Sequence, residues 1–320
     1  MKRHRVLWLL PPLALATAPF VATLGMAQEG KGSAVPAPAR IDELAKMLPQ
    51  SPRGLGSPIE DRESWQAIAN VLGVEEILSR AEELTRGAIP ETVGGRGGGQ
   101  GARRRPMFTV APLILAECIE NRGRFLAAIE QTIRTYASYP TWISGREDDR
   151  WDRIDGVPIG IDLSAAQSAW NLATTYHWLG DRLSEDTRKL IRDELERRIF
   201  ASFTGMVRED YPNLWWLKGS NKNNWNAVCL AGVTGSALAV IESRERRAFF
   251  VAAAEKYIQG FLSGYTSQGY CSEGLGYWNF GFGHFVYLAE SNSGTEAKTA
   301  SRKRCSTDWL ATCRGSSVSS

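Results

Sequence analysis

Cysteine is scarce and scattered in this chain. Five occur in 320 residues, at Cys118, Cys229, Cys271, Cys305 and Cys313, with no CxxC pair and no His/Cys cluster. An odd, widely spaced set argues against a zinc site and against a dense disulfide framework, leaving room for one optional bridge. No metal and no cofactor is expected. Sustained strand alternation is also missing, which points away from a sheet fold. So is an excess of one charge. The formal net charge of +3 includes Lys2, Arg3 and Arg5, and without the first 27 residues it falls to 0. Nothing in that balance supports nucleic-acid binding. The uncharged run Trp225 to Ile241 is shorter than the roughly 20 apolar residues that span a bilayer, and it is studded with Ala, Gly and Ser. No membrane span is expected in the mature chain.

What the chain does have is tryptophan, 11 of them, within 10% aromatics. Exposed indoles stack on sugar rings, but most are expected to fill a core. The first residues read as an export signal: a basic start, an apolar stretch from Val6 to Leu15 broken by Pro11 and Pro12, and the small-residue site Gly25-Met26-Ala27. Residues 1–27 are thus expected to be a signal peptide, placing the protein in the periplasm or outside the cell. Residues 28–59 are rich in proline, glycine and serine and read as a linker and lead-in segment, with a short helix at Ile41 to Leu48. Gly94 to Pro106 reads as a flexible basic loop. Residues 291–320 break the helical pattern and read as a disordered or out-of-frame tail.

Between these lies helical periodicity. It predicts helices at Arg62 to Leu72, Val74 to Arg86, Ala111 to Asn121, Gly123 to Ser138, Leu163 to Leu179 and Ser184 to Phe203. Three more follow at Trp225 to Ile241, Arg244 to Ser263 and Asn279 to Ala289. The fold class is all-α, with residues 60–290 as helical hairpins arranged in a toroid or solenoid.

Two stretches carry chemistry. In "SNKNNWNAVCLAGV", Ser220 to Val233, amide side chains sit at the mouth of the uncharged helix, where backbone N–H groups and the positive end of the dipole suit an anionic ligand. Simple capping by the same asparagines is the plainer use. In "GYCSEGLGYWNFGFGHFVYLAE", Gly269 to Glu290, a glycine-rich turn presents Glu273, Tyr277 and Trp278 ahead of a helix carrying His284 and Tyr287.

Together these motifs resemble the heparinase II/III-like polysaccharide lyases, including the alginate lyases that share their toroid. The resembling residues are Asn223-Asn224-Trp225-Asn226 with its small-residue helix, and Glu273-Gly274-Leu275-Gly276-Tyr277-Trp278. The hairpin from Gly160 to Arg198 adds to the likeness, which covers roughly residues 50 to 290. It implies an incomplete (α/α) toroid lacking the family's C-terminal β-sandwich and that domain's catalytic histidine. The chain is accordingly expected to be truncated and weakly active or inactive. An acidic polysaccharide is the implied partner.

β-Elimination of a uronic-acid polymer removes the C5 proton and expels the C4 oxygen. Neutral donors aimed at the adjacent carboxylate stabilise the enolate-like intermediate, each worth roughly 3 to 4 kcal/mol. A tyrosine can move the proton if its pKa of about 10 is lowered by nearby positive charge. By resemblance, Asn224 neutralises the carboxylate, with Asn223 as the alternative in register, and Tyr277 transfers the proton. Substrate contacts are expected from Asn223, Trp225, Trp278, Glu273, His177 and Trp216, although Glu273 suits holding the turn better than touching sugar. His284 reads as a core histidine, and Trp151, Trp215 and Trp216 are stacking candidates for which packing is the plainer use. Two rival classes stay open. One is a toroidal glycoside hydrolase using carboxylates among Asp148, Asp149, Asp152, Asp155 and Asp162. The other is a non-catalytic carbohydrate-binding helical protein.

Overall fold

The computed structural model describes residues 35–86, 110–139, 141–143, 153–154, 157–158, 160–209, 216–217, 222–271 and 273–292. The expected signal peptide, the Gly94 to Pro106 loop and the tail beyond Asn292 lie outside them.

Caps written into the sequence start most of the helices. Pro38 opens α1 (Pro38–Met47), where an N–H would go unused anyway. The Asp61 side chain accepts from the Ser64 N–H and starts α2 (Arg62–Val71), and α3 (Val74–Arg86) follows after Gly73. The turn between α4 (Val110–Glu120) and α5 (Leu126–Ala137) is held from inside. There the buried Glu117 carboxylate accepts the N–H groups of Gly123 and Phe125 at 2.6 and 3.0 Å. Asp162 caps α6 (Leu163–Leu179) and Ser184 caps α7 (Glu185–Leu195). α7 widens into one π turn, Glu196–Phe200, and continues as α8 (Ala201–Glu209). The series ends with α9 (Asn224–Val240), α10 (Arg244–Leu262) and α11 (Leu275–Asn292). Strand among the described residues is limited to the antiparallel pair β1 (Arg153–Ile154) and β2 (Val157–Pro158), with one isolated bridge from Tyr265 to Cys271. The fold class is all-α.

α9 is the centre of the packing. Every residue in it but Trp225 is buried, and each fully buried Val or Leu contributes about 1.5 to 3 kcal/mol. Its glycines let neighbours approach closely. Gly232 lies against the Ala166 carbonyl and Gly235 against the Trp170 ring, with no room for a Cβ at either. On its other flank, a Cβ at Gly281 of α11 would sit 3.0 Å from the Cβ of Asn224. Direction follows from these contacts. Positions 166 and 170 of α6 climb in step with 232 and 235 of α9, and α11 starts where α9 starts, so the three helices run parallel. α10 runs back the other way, since Gly264 beyond its end abuts the Lys222 carbonyl ahead of α9. α5 and α7 are likewise in step. The Ser184 N–H donates to Glu130 at 2.7 Å, and Arg134 reaches Thr187 at 3.4 Å.

Residues 48–59, which composition assigns to the linker and lead-in, are built into this body. Arg247, 0% exposed in the first turn of α10, donates to the carbonyls of Pro49, Gln50 and Ser51 at 2.9, 2.8 and 3.1 Å. The Arg53 N–H donates to Leu238 at 2.8 Å, and the Trp178 indole donates to Leu55 at 2.8 Å. This strap therefore crosses the C-terminal ends of α6 and α9. The signal that reveals it is the arginine, which composition does not single out.

Candidate functional site

At the opposite end, the N-termini of α9 and α11 meet through one carboxylate. Glu273 lies in the turn before α11 and accepts the backbone N–H of Asn224 at 2.7 Å through one oxygen. Its other oxygen accepts the Asn224 side-chain amide at 2.9 Å. The clamp satisfies an orphan N–H in the first turn of α9 and sets a negative charge at the positive end of its dipole. Charge-assisted hydrogen bonds of this kind are the stronger class. Glycine at 274 is required here by its φ of +82. The mouth that suits an anion already holds one, supplied by the chain itself.

The clamp divides the two asparagines. Asn224 is 3% exposed, one amide hydrogen is committed to Glu273, and its Oδ1 is buried without a hydrogen-bond partner. Asn223 is only half-buried and caps α9, its Oδ1 accepting the Trp225 N–H at 3.1 Å. Solvent therefore reaches Asn223 far more readily than Asn224. Tyr277 lies one turn before Gly281 on α11, and residues four apart share a helix face. Because Gly281 faces Asn224, Tyr277 projects on that same face beyond the end of α9, and it is 59% exposed. Asn223, Asn224, Glu273 and Tyr277 are thus brought together at one end.

Trp278 belongs to the same mouth. Its indole donates to the Gly269 carbonyl at 2.8 Å and its ring stacks on Phe282 at 4.9 Å. Trp225 is half-buried against the core. Tyr265, which sequence reasoning passed over, packs edge-on to Trp278 at 6.4 Å. Burial above all, then Cys271 and Glu273, push its phenol above the ordinary value, so it stays protonated. The bridge that places it pairs residues six apart across an irregular turn, a contact with no periodic signature.

Two expected contacts do not reach the open mouth, one because it is buried beneath the first turn of α9 and the other because it lies at the far end. Trp216 is 0% exposed, and its indole donates to the Ile161 carbonyl at 2.7 Å while its own carbonyl accepts from Asn226 at 2.9 Å. It frames the start of α6 instead of offering a face to sugar. His177 sits in the last turn of α6 against Gly54 and Gly56 of the strap. The length of α9, about 25 Å for its 17 residues, separates it from the mouth. Burial lowers its pKa below the ordinary imidazole value.

Among the hydrolase carboxylates, Asp162 is 2% exposed and spent on capping α6, while Asp148, Asp149, Asp152 and Asp155, like Trp151 and Trp215, lie outside the described residues. An open groove of about 620 Å³ between α1, α8 and α10, lined by Arg208, Arg246 and Phe249, is at the far end of α9 from the mouth. No group of three or more His, Cys, Asp or Glu placed to hold a metal occurs among the described residues. No described helix is long and apolar enough to cross a membrane. No protein-family model matches the chain, and no curated protein matches it.

Proposed function

We propose that this chain is a polysaccharide lyase of the heparinase II/III-like kind. It acts on uronic-acid-containing polysaccharide outside the cytoplasm, on an arc of an (α/α) toroid. The parallel row α6, α9 and α11, with α10 returning behind it, suits such an arc. The observation that carries the reading is the Glu273 clamp. It joins the asparagine mouth of α9 to the turn that projects Tyr277, so neutral amides and an exposed phenol share one end of the row.

In the reaction the C5–H bond breaks, its electron pair forms the C4–C5 double bond, and the C4–O bond breaks with the leaving oxygen taking a proton. The Asn223 amide lowers the cost of charge on the substrate carboxylate as the C5 proton leaves. Asn223 is the asparagine a polymer can reach, and Asn224 stands behind it, oriented by Glu273. Tyr277 carries the proton. Neither role needs a metal.

The full chain should be incubated with alginate, hyaluronan and polygalacturonate while new C=C absorbance and new reducing ends are followed together. Elimination produces both, hydrolysis produces reducing ends alone, and a pure binder produces neither. Tyr277→Phe should reduce unsaturated product by about a hundredfold or more without moving the melting temperature. Asn223→Ala should lose about 10² to 10³ in rate. Turnover indifferent to both substitutions would remove the basis for the reading.

A further inference from the structure

We propose that Tyr270 is a stacking platform for the sugar unit beside the one that Tyr277 addresses, which makes the site selective for chains of several uronate units. This rests on the lyase-type reading of the mouth. The observation is one of exposure. Among the described residues only two aromatic residues are more exposed than buried, Tyr270 at 63% and Tyr277 at 59%, and both belong to this one mouth.

The backbone that carries Tyr270 is braced. Tyr270 ends a tight loop in which the Thr266 N–H donates to the Tyr270 carbonyl at 2.9 Å and the Gly269 N–H to the Thr266 carbonyl at 2.8 Å. The Thr266 hydroxyl accepts the Tyr270 N–H at 3.1 Å, and Gly269 takes the left-handed φ of +79 that the loop needs. The Tyr265–Cys271 bridge closes its base. The loop is then bonded to α11 by the Trp278 indole, which donates to Gly269. Tyr270 follows the acceptor and Tyr277 precedes the donor, so the two residues are each one position from an end of the same hydrogen bond.

A tyrosine held in water contributes little to folding, because its apolar face is not removed from solvent. Holding it on a braced loop does favour binding, since a rigid amphipathic ring supplies contact area at a small loss of conformational freedom. The patch consists of two rings, far below the roughly 1,200 to 2,000 Å² that a stable protein interface buries. A pyranose matches it. Its C–H face covers a ring while hydroxyls and carboxylate remain at the edge, where the Asn223 amide and water can reach them. Two exposed tyrosines carried next to the two ends of one bond suit two successive sugars of one chain.

The test is binding, measured independently of turnover. The full chain is titrated with the disaccharide and the hexasaccharide from alginate, hyaluronan and polygalacturonate, followed by calorimetry at a temperature where no unsaturated product forms during the titration. Wild type should bind the hexasaccharide of its preferred polymer at least about tenfold more tightly than the disaccharide. Tyr270→Ala should erase that advantage and Tyr270→Phe should keep it, with melting temperatures unchanged because the ring is exposed. Hexasaccharide affinity unaltered by Tyr270→Ala overturns the platform, and so does a wild type that binds none of the probes. The lyase reading fails separately, if hexasaccharide held through Tyr270 never gives a C=C product.

Discussion

Glu273 is the residue on which the mouth depends, and its two bonds make different demands. Both of its oxygens accept, one from a backbone N–H and one from the Asn224 amide. In Glu273→Gln only one acceptor remains, and the new amide faces the Asn224 amide donor to donor. Asn224 can relieve this by turning its side chain over, so that its unpartnered Oδ1 accepts instead. The cost should be about 1 to 2 kcal/mol, the difference between charged and neutral bonds. Glu273→Ala has no such escape. It leaves two buried donors without partners, at about 1 to 3 kcal/mol each. Urea unfolding should therefore rank alanine clearly below glutamine, and a wild-type midpoint for alanine would mean that the clamp holds nothing.

At the scale of elements, the tightest fit is the seam between α6 and α9. Gly232→Ala would push a Cβ into the Ala166 backbone, which cannot swing aside as a side-chain tip would. A loss of about 1 to 3 kcal/mol is expected. Gly283 in α11 has nothing within 4 Å of where a Cβ would go, so Gly283→Ala should raise stability by about 0.5 to 1 kcal/mol through helix propensity alone. Denaturant midpoints shifting in opposite directions would support the seam, and equal shifts would refute it. The helices themselves were legible because periodicity and caps are local. Leu163 to Leu179 is read to the residue, and Ser184 caps as its residue type suggests. Two boundaries were not. α11 begins at Leu275, four residues before the periodic pattern suggests, because the Glu273 clamp and the Trp278 bond organise its first turn from outside. The π turn at Glu196–Phe200 carries α7 into α8, so the helix ends at Glu209, past the Phe203 that periodicity suggests. Of the site, the residue types and their order were legible. Which asparagine is buried was not, because that depends on a carboxylate 49 residues away.

For the molecule as a whole, acid should act in two separate stages. His177 and His284 both lie in surroundings where burial holds the pKa below the ordinary imidazole value of 6.5. Their positions differ, one under the strap at the end of α6 and one on α11, where a ring nitrogen lies 2.7 Å from the Phe280 carbonyl. The unfolded chain takes up protons at both near 6.5, while the folded chain resists. Stability is then fully present above about pH 6.5 and declines as pH falls from there through the lower folded values. The carboxylates move differently. Asp61, held low by bonds to Ser64, and Glu185, held low first by Arg192, keep their contribution until pH falls below the ordinary carboxylate range. Urea midpoints should hold level from pH 8 to about pH 6.5, fall as pH drops below that, and fall further once pH drops below about 4. Gln at both histidine positions should flatten the first decline and leave the second, whatever the double variant loses in absolute stability. A wild-type midpoint that stays level as pH falls from 8 to about 4 would show that the two imidazoles are as free to charge in the fold as outside it.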